Sequence, residues 1–492
     1  MAHTEDTDTG IRHSPPPLPK SSEDFQRQQH TRLRRRIMYG NHEQDVKDRT
    51  RNQVGITRFE AWGQHVDLSS NVPETIYTQK AVQYDQTPSI RNDSTQDISG
   101  LVGVDGLMTT AGIWQMMPRV QRDAFGLRVM FVRVSATDTE LTYRPVYPDL
   151  CTAEVFSDQP DKPVKLSESR LYSVPNSLDS GREWCLDVLD ISDPDAPSYK
   201  VIRASDGEDR SPVYLATDDN PEGDFTGSTY PYRLSDGTPI LPYAVYRPVK
   251  SGKMWDARTE SRVFDGGLQA MVYQTMFAHI MRNASWAQKW AIGVEPAGTG
   301  TVDENEDGNS RRSTITDPAV LLIFEQLADF EGQPTVGTFP VSVTPEEFQA
   351  AIGRYERHVA AAAGLEPSDV MRMSGDPRSG YALAISRSGQ RLQQRKHEEM
   401  FRRGDQQLLT ISAAIANRSG LGAYPETGWQ LEYRSLPKTP EEAKAESDFL
   451  NSEVAAGMMD VVESYRRRHP GITEEQAESD LVKIRDTNKR FS

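Results

Sequence analysis

The feature that most constrains this chain is a helical period that stops, gives way to an insertion and then resumes. From about Thr259 to Trp290, Phe264, Leu268, Met271, Val272, Thr275 and Met276 recur at i, i+3, i+4 and i+7, which predicts one long amphipathic helix. About 30 residues of helix span about 45 Å. Two tryptophans, Trp286 and Trp290, lie four apart near its predicted end. A polar loop, EPAGTGTVDENEDGNSRRSTITDP, and a β-rich patch, AVLLIFEQLADFEGQPTVGTFPVSV, follow. The helix signal then returns. Thr344 as N-cap, Pro345 in the first turn and Glu347 three residues after the cap make a capping box that opens a helix ending at Gly364. A third stripe, Ile385, Leu392, Phe401, Leu408, Ile411 and Ile415, predicts a helix from about Ala382 to Asn417. Gly389 and Gly404 inside it each cost about 1 kcal/mol relative to Ala, so a bend is expected.

Composition agrees with an extended molecule. The chain has 492 residues, which suggests roughly three domains of about 150 residues each. Apolar residues are only 36% and charged residues 26%, so an elongated shape, a large wetted surface or disordered segments are expected. The net charge of −16 argues against a passive nucleic-acid binder, whose affinity comes from neutralising phosphates. It does not argue against a surface that DNA must pass without sticking. Cys151 and Cys185 form no C-x-x-C pair. Two reduced thiols are expected, and a disulfide between them stays open. The N-terminus lacks the apolar core of a signal peptide. The longest apolar runs, Val359 to Leu365 and Ala319 to Phe324, fall short of the roughly 20 residues of a membrane span. The expectation is a soluble product made inside a cell, with no membrane partner.

The rest of the chain has mixed texture. Residues 1–25 are polar, with prolines at 15–17, and are expected to be disordered. A helix capped by Ser21 or Ser22 follows, with Arg32, Arg34, Arg35 and Arg36 near its C-terminal end. Those arginines read as a solvated or subunit-pairing face, with nucleic-acid contact as the alternative. NVPETIYTQKAVQYDQTPSI predicts a helix ending before Pro88, and ISGLVGVDGLMTTAGIWQMMPRVQRDAFG predicts two apolar helices. Between Leu127 and Tyr246, LRVMFVRV, LTYRPVYP, REWCLDVLDI, SPVYLATD and PILPYAVYRPV predict a twisted β-rich domain. WQLEYRSL reads as one more strand. Short helices, broken at His469-Pro470-Gly471 and recapped at Thr473, close the chain.

The sequence offers three chemical temptations. GDPRSGYA begins like a P-loop, but Tyr381 and Ala382 stand where Lys and Ser or Thr must follow, and the preceding segment is helical. HEEMF at His397 has Phe401 where a second zinc-binding histidine would be needed, and it reads as an exposed helix face. Asp303, Asn305, Asp307 and Gly308 match the opening of an EF-hand loop. Arg311 and Thr314 occupy later ligand positions, so the loop is at most a weak divalent-ion candidate beside a solvated acidic reading. No G-x-S-x-G elbow or His/Asp/Ser set appears. No catalysis and no cofactor are expected.

The order of these parts resembles the portal proteins of tailed bacteriophages, the head-to-tail connectors of the virion. NVPETIYTQKAVQYDQTPSI looks like that family's early wing helix, SGYALAISRSGQRL like the segment opening its long helix, and YRRRHPGITEEQAESDLVKI like its common tail. The resemblance implies an α+β portal fold assembled as a ring. Residues 1–25 would be a disordered tail and 26–252 the N-terminal helices and β-rich wing. The two-helix stem would be 253–290 and 344–364, flanking a small α/β clip at 291–343. A tunnel loop would span 365–382, the long helix and a wing strand 383–438, and a helical crown 439–492. It further implies a homo-oligomer, a dodecamer in that family, at one capsid vertex. The ring would conduct double-stranded DNA in packaging and ejection, and it would meet the large terminase subunit, a head–tail adaptor, and the major capsid and scaffold proteins. Arg378, Tyr381, Ser379 and Met373 would be the DNA-facing tunnel-loop residues, and Arg311 and Arg312 the clip contacts to terminase or adaptor. Another oligomeric virion protein, of capsid or baseplate, is the alternative.

Overall fold

Capping shapes the first helices. The computed structural model describes residues 21–137, 139–174, 181–215, 232–255, 261–285, 289–292, 294–296, 302–303, 311–312, 324–326, 333, 335–338, 344–365, 380–433, 440–468 and 474–491. The Ser21 hydroxyl accepts from the Asp24 N–H and opens α1 (Ser22–Met38), whose first turn is acidic and last turn basic, as the helix dipole favours. α2 (Glu43–Val54) and α3 (Ile56–Ala61) follow. Asn71 caps α4 (Val72–Lys80), with Pro73 in its first turn. α4 ends well before Pro88, earlier than expected, and the chain turns into β1 (Ser89–Asn92). The two apolar helices expected next are three: α5 (Ser99–Val102), α6 (Leu107–Thr110) and α7 (Ile113–Leu127). Gly112, at φ 70°, supplies the left-handed turn that separates the last two.

Two antiparallel sheets come next. β2 (Met130–Ala136) lies between β3 (Leu141–Val146) and a later strand, Tyr243–Tyr246. β4 (Cys151–Val155), β5 (Pro163–Ser173), β6 (Arg182–Asp190) and β7 (Ser198–Arg203) form a meander. SPVYLATD, expected as a β run, opens instead as the single-turn helix α8 (Ser211–Tyr214), because Pro212 suits a first helical turn. The strand Tyr243–Tyr246 is β8. Cys151 faces Glu168 and Cys185 faces Arg170, on opposite flanks of β5. Two strand spacings and two residues of offset hold their Cα atoms roughly 12 Å apart, beyond disulfide reach. Both are buried free thiols.

α9 (Ser261–Ser285) stops short of the expected Trp290. Trp290 belongs to β9 (Lys289–Ile292), where it faces Gly337, so strand pairing has taken the backbone that a longer helix would use. β10 (Val294–Pro296), β11 (Val302–Asp303), β12 (Arg311–Arg312), β13 (Phe324–Gln326) and β14 (Thr335–Thr338) complete the insertion. Its described elements are all strands, so the helical part of the expected α/β insertion is not seen among the described residues. α10 (Pro345–Ala362) carries the expected capping box on Thr344 and Glu347. α11 (Gly380–Arg418) runs for 39 residues, and β15 (Trp429–Glu432) pairs with β1. α12 (Pro440–Ala455), α13 (Val461–Arg468) and α14 (Glu474–Phe491) end the chain. The fold is α+β. One apolar core joins α1, α4, α7, α9 and α11 to the β2 sheet. No described helix is long and apolar enough to cross a membrane.

Candidate functional site

The helical hairpin and its strand arm are the most distinctive construction. α9 and α10 are antiparallel: Phe277 stacks on Phe348 at 5.8 Å and Tyr273 meets Tyr355 edge-on at 5.4 Å. Gly266 lets Val359 approach, since a Cβ there would lie 2.6 Å from its methyl. The root is fixed to the body. Tyr77 of α4 stacks on Phe264, and Glu356 accepts from Ser70 Oγ at 3.0 Å and Gln274 Nε2 at 3.2 Å. At the other end the strands nest: β9 pairs β14, β10 pairs β13 and β11 pairs β12, all antiparallel. The insertion is therefore an arm that doubles back on itself, with Asp303 and Arg311 paired in its innermost strands. Its register is that of a β-hairpin, with Asp303 opposite Arg311, where an EF-hand would place two helices.

The sequence candidates fall unevenly. Arg311, Arg312 and Asp303 lie in the apical strands, and Tyr381 is the second residue of α11. Arg378, Ser379, Met373, Asn305 and Asp307 lie outside the described residues. His397 is not on an exposed helix face: it is buried, with Nδ1 2.6 Å from the Pro248 carbonyl and its ring edge-on to Phe125. Among the described residues, no group of three or more His, Cys, Asp or Glu could hold a metal ion.

Two buried polar centres escaped the sequence reading. On α11, Asp405 accepts from Tyr84 at 2.9 Å, Tyr246 at 2.8 Å and Tyr433. Burial pushes its carboxyl up to about 7, and the three hydroxyls pull the other way. Asp405 lies four residues after Phe401 and three before Leu408, so it sits on the helix's own apolar stripe; a lone carboxylate there was the available signal. Between the sheets, Arg133 Nη1 meets Asp187 at 2.5 Å and Glu168 at 3.4 Å. Arg144 also binds Glu168, and Tyr243, Tyr172 and Tyr199 donate to the two carboxylates. Burial alone would raise Glu168, but Arg144 and Arg133 outweigh it and hold the carboxyl below its ordinary value.

The arginines of α1 are anchors more than a solvated face, which corrects that expectation. Arg27 is buried over Trp255 and donates to the Pro148 and Cys151 carbonyls at 2.7 and 2.8 Å. Arg34 is buried against Phe264, Arg36 pairs with Asp45, and Arg35 pairs with Asp149 at 3.1 Å. Beside Arg35, α7 contributes a second basic stripe. Arg119 donates to the hydroxyls of Tyr39 and Tyr147, both at 2.8 Å, and Arg122 binds Asp123 at 2.9 Å.

No protein-family model matches the chain, and no curated protein matches it. Among solved structures, the chain is similar to one from a structure titled "Neck of native GTA particle computed with C12 symmetry". The identity is 13%, the TM-score 0.38, and the match covers 82% of this chain and 89% of that one.

Proposed function

We propose that the chain is a portal subunit: a non-enzymatic ring component at one vertex of a tailed-phage capsid, through which DNA is packaged and released. The observation that carries this reading is the order of parts around the helical hairpin. Two antiparallel helices carry a strand arm at their tip, and after residues 366–379 a 39-residue helix crosses back over β8 and β2. Long paired helices suit side-by-side packing around a channel, and a chain of net charge −16 gives walls along which a polyanion slides.

In this reading the segment before α11 faces the channel. Arg378, Ser379, Tyr381 and Met373 touch the DNA there, and Arg311 and Arg312 at the arm's apex meet terminase or the adaptor. The test is negative-stain imaging of the purified full chain with symmetry counting. Closed rings with an opening wide enough for a duplex are expected. Monodisperse monomers under assembly conditions would overturn the proposal.

A further inference from the structure

The last three helices stand apart from the body. α12 packs on α11, α13 on α12 and α14 on α13. None of their described side chains belongs to the main apolar core. Among the described residues, twelve large hydrophobics are exposed, and five of them, Phe449, Met458, Val461, Val482 and Ile484, lie within 440–491. The described hydrophobic side chains buried there are Leu450 and Ala477. An 18-residue helix such as α14 is marginal in water by itself and is held by the packing of an apolar face.

α14 carries Glu478, Val482 and Arg485 in one row, and all three are exposed, Val482 at 58%. At 3.6 residues per turn, Glu478 and Arg485 are only about 20° apart around the helix. Along the axis Glu478 lies about 6 Å to one side of Val482 and Arg485 about 4.5 Å to the other. The buried Ala477 is about 140° away from Val482, so α14 packs inward through a different side. A helix dipole sorts acids and bases in the first and last turns, and Glu478 and Arg485 stand inside both. The dipole therefore does not account for their order.

We infer that the Glu478, Val482 and Arg485 row of α14 docks on the same row of a second copy of this chain, antiparallel, about a two-fold axis at Val482. A parallel copy would set Glu478 against Glu478 and Arg485 against Arg485. The antiparallel copy sets each Glu478 beside the partner's Arg485, about 1.5 Å from level and on the same side of the axis, and does so twice. Val482 then meets its own counterpart, and both leave water. Opposite charges flanking one apolar centre make the row complementary to itself, which is what selects a second copy as the occupant. One helix face is far smaller than a standard interface, so the pairing is weak and depends on concentration. The inference does not rest on the portal reading. Ring neighbours meet through heterologous surfaces, whereas this contact is isologous and joins two free chains or two rings face to face.

The test is disulfide trapping in the full-length protein. Both native thiols are buried, so Val482→Cys supplies an exposed one. Oxidation over a concentration series should join chains through position 482 well above the level of Val104→Cys, a control at a site where the native side chain is 89% exposed. Adding Arg485→Glu should lower trapping about tenfold, and Glu478→Arg with Arg485→Glu should restore it, because the swapped row is again complementary to itself. Circular dichroism should stay unchanged, since the three side chains are exposed. Trapping at the control level, or trapping indifferent to the charge changes, would overturn the inference. If the cysteine itself disturbs α14, sedimentation decides: wild type should show a concentration-dependent doubling of mass that Arg485→Glu removes and the swapped pair returns, and identical behaviour of all three would overturn it. Rings without trapping at position 482 would sink this inference and leave the portal reading standing. Trapping without rings would do the reverse.

Discussion

The two buried polar centres are built on opposite principles. Arg133, Arg144, Glu168 and Asp187 place cations against carboxylates between two sheets. Asp405 has three phenol donors and, among the described residues, no cation bonded to it. The carboxylates of both accept hydrogen bonds, but only the first centre is compensated for charge. The Glu168 carboxyl is accordingly held below its ordinary value and the Asp405 carboxyl raised to about 7. Their pH signatures must oppose each other. Glu168 contributes stability that is present above about pH 4.5 and is lost on acidification below it. Asp405 folds best protonated. Its contribution is full below pH 3.8, its unfolded value, and is lost as the pH rises through about 7.

The largest effect should come from removing the cation that the first centre depends on. Arg133→Met leaves Asp187 with only the distant Arg170, at 3.9 Å, and its phenol donors. A buried carboxylate stripped of its partner typically costs about 3–5 kcal/mol. A lowered urea midpoint measures this, and an unchanged midpoint would mean that the tyrosines suffice, making the two centres alike.

Asp405 should respond differently to two substitutions. Asp405→Ala orphans three buried hydroxyls and is expected to cost roughly 3 kcal/mol. Asp405→Asn keeps acceptor and donor groups in place without the charge. It should unfold no more easily than wild type near pH 8, where wild type carries an ionised buried carboxylate. It should also lose the decline in stability that wild type shows between about pH 4 and 7. Urea midpoints across that range decide the matter, and a decline retained in Asp405→Asn would assign it to another group.

Much of the helical scaffold was legible because it is written in local signals: the box on Thr344 and Glu347, the Ser21 cap, and the stripe of α11. What was hidden required tertiary partners. β5 escaped because VKLSESRLYS buries Glu168 on its inward face, which spoils the apolar alternation by which a strand is read. Trp290 left the helix because its partner strand lies some 45 positions further along. Arg34 and Arg35 looked solvated because their partners, the Phe264 ring and the Asp149 carboxylate, are remote in sequence. Within the candidate site, the arm was visible as an insertion between two helices, but its nesting was not.

Gly404 makes the smallest and most diagnostic test. As an interior helix glycine it was expected to permit a bend, and on intrinsic propensity Ala would gain about 1 kcal/mol there. In the fold, a Cβ at this position would lie 2.6 and 2.7 Å from Tyr246 ring carbons, well inside carbon–carbon contact. The ring cannot swing freely, because its hydroxyl is tied to Asp405 and its face lies on Phe401. Gly404→Ala should therefore destabilise by about 1–2 kcal/mol net, despite the propensity gain. Releasing the ring's tether should relieve it: in the Asp405→Ala background the added cost of Gly404→Ala should shrink by about 1 kcal/mol in a double-mutant cycle. Strict additivity would show that Tyr246 is held by packing alone, and that the three-phenol centre does not position α11 against β8.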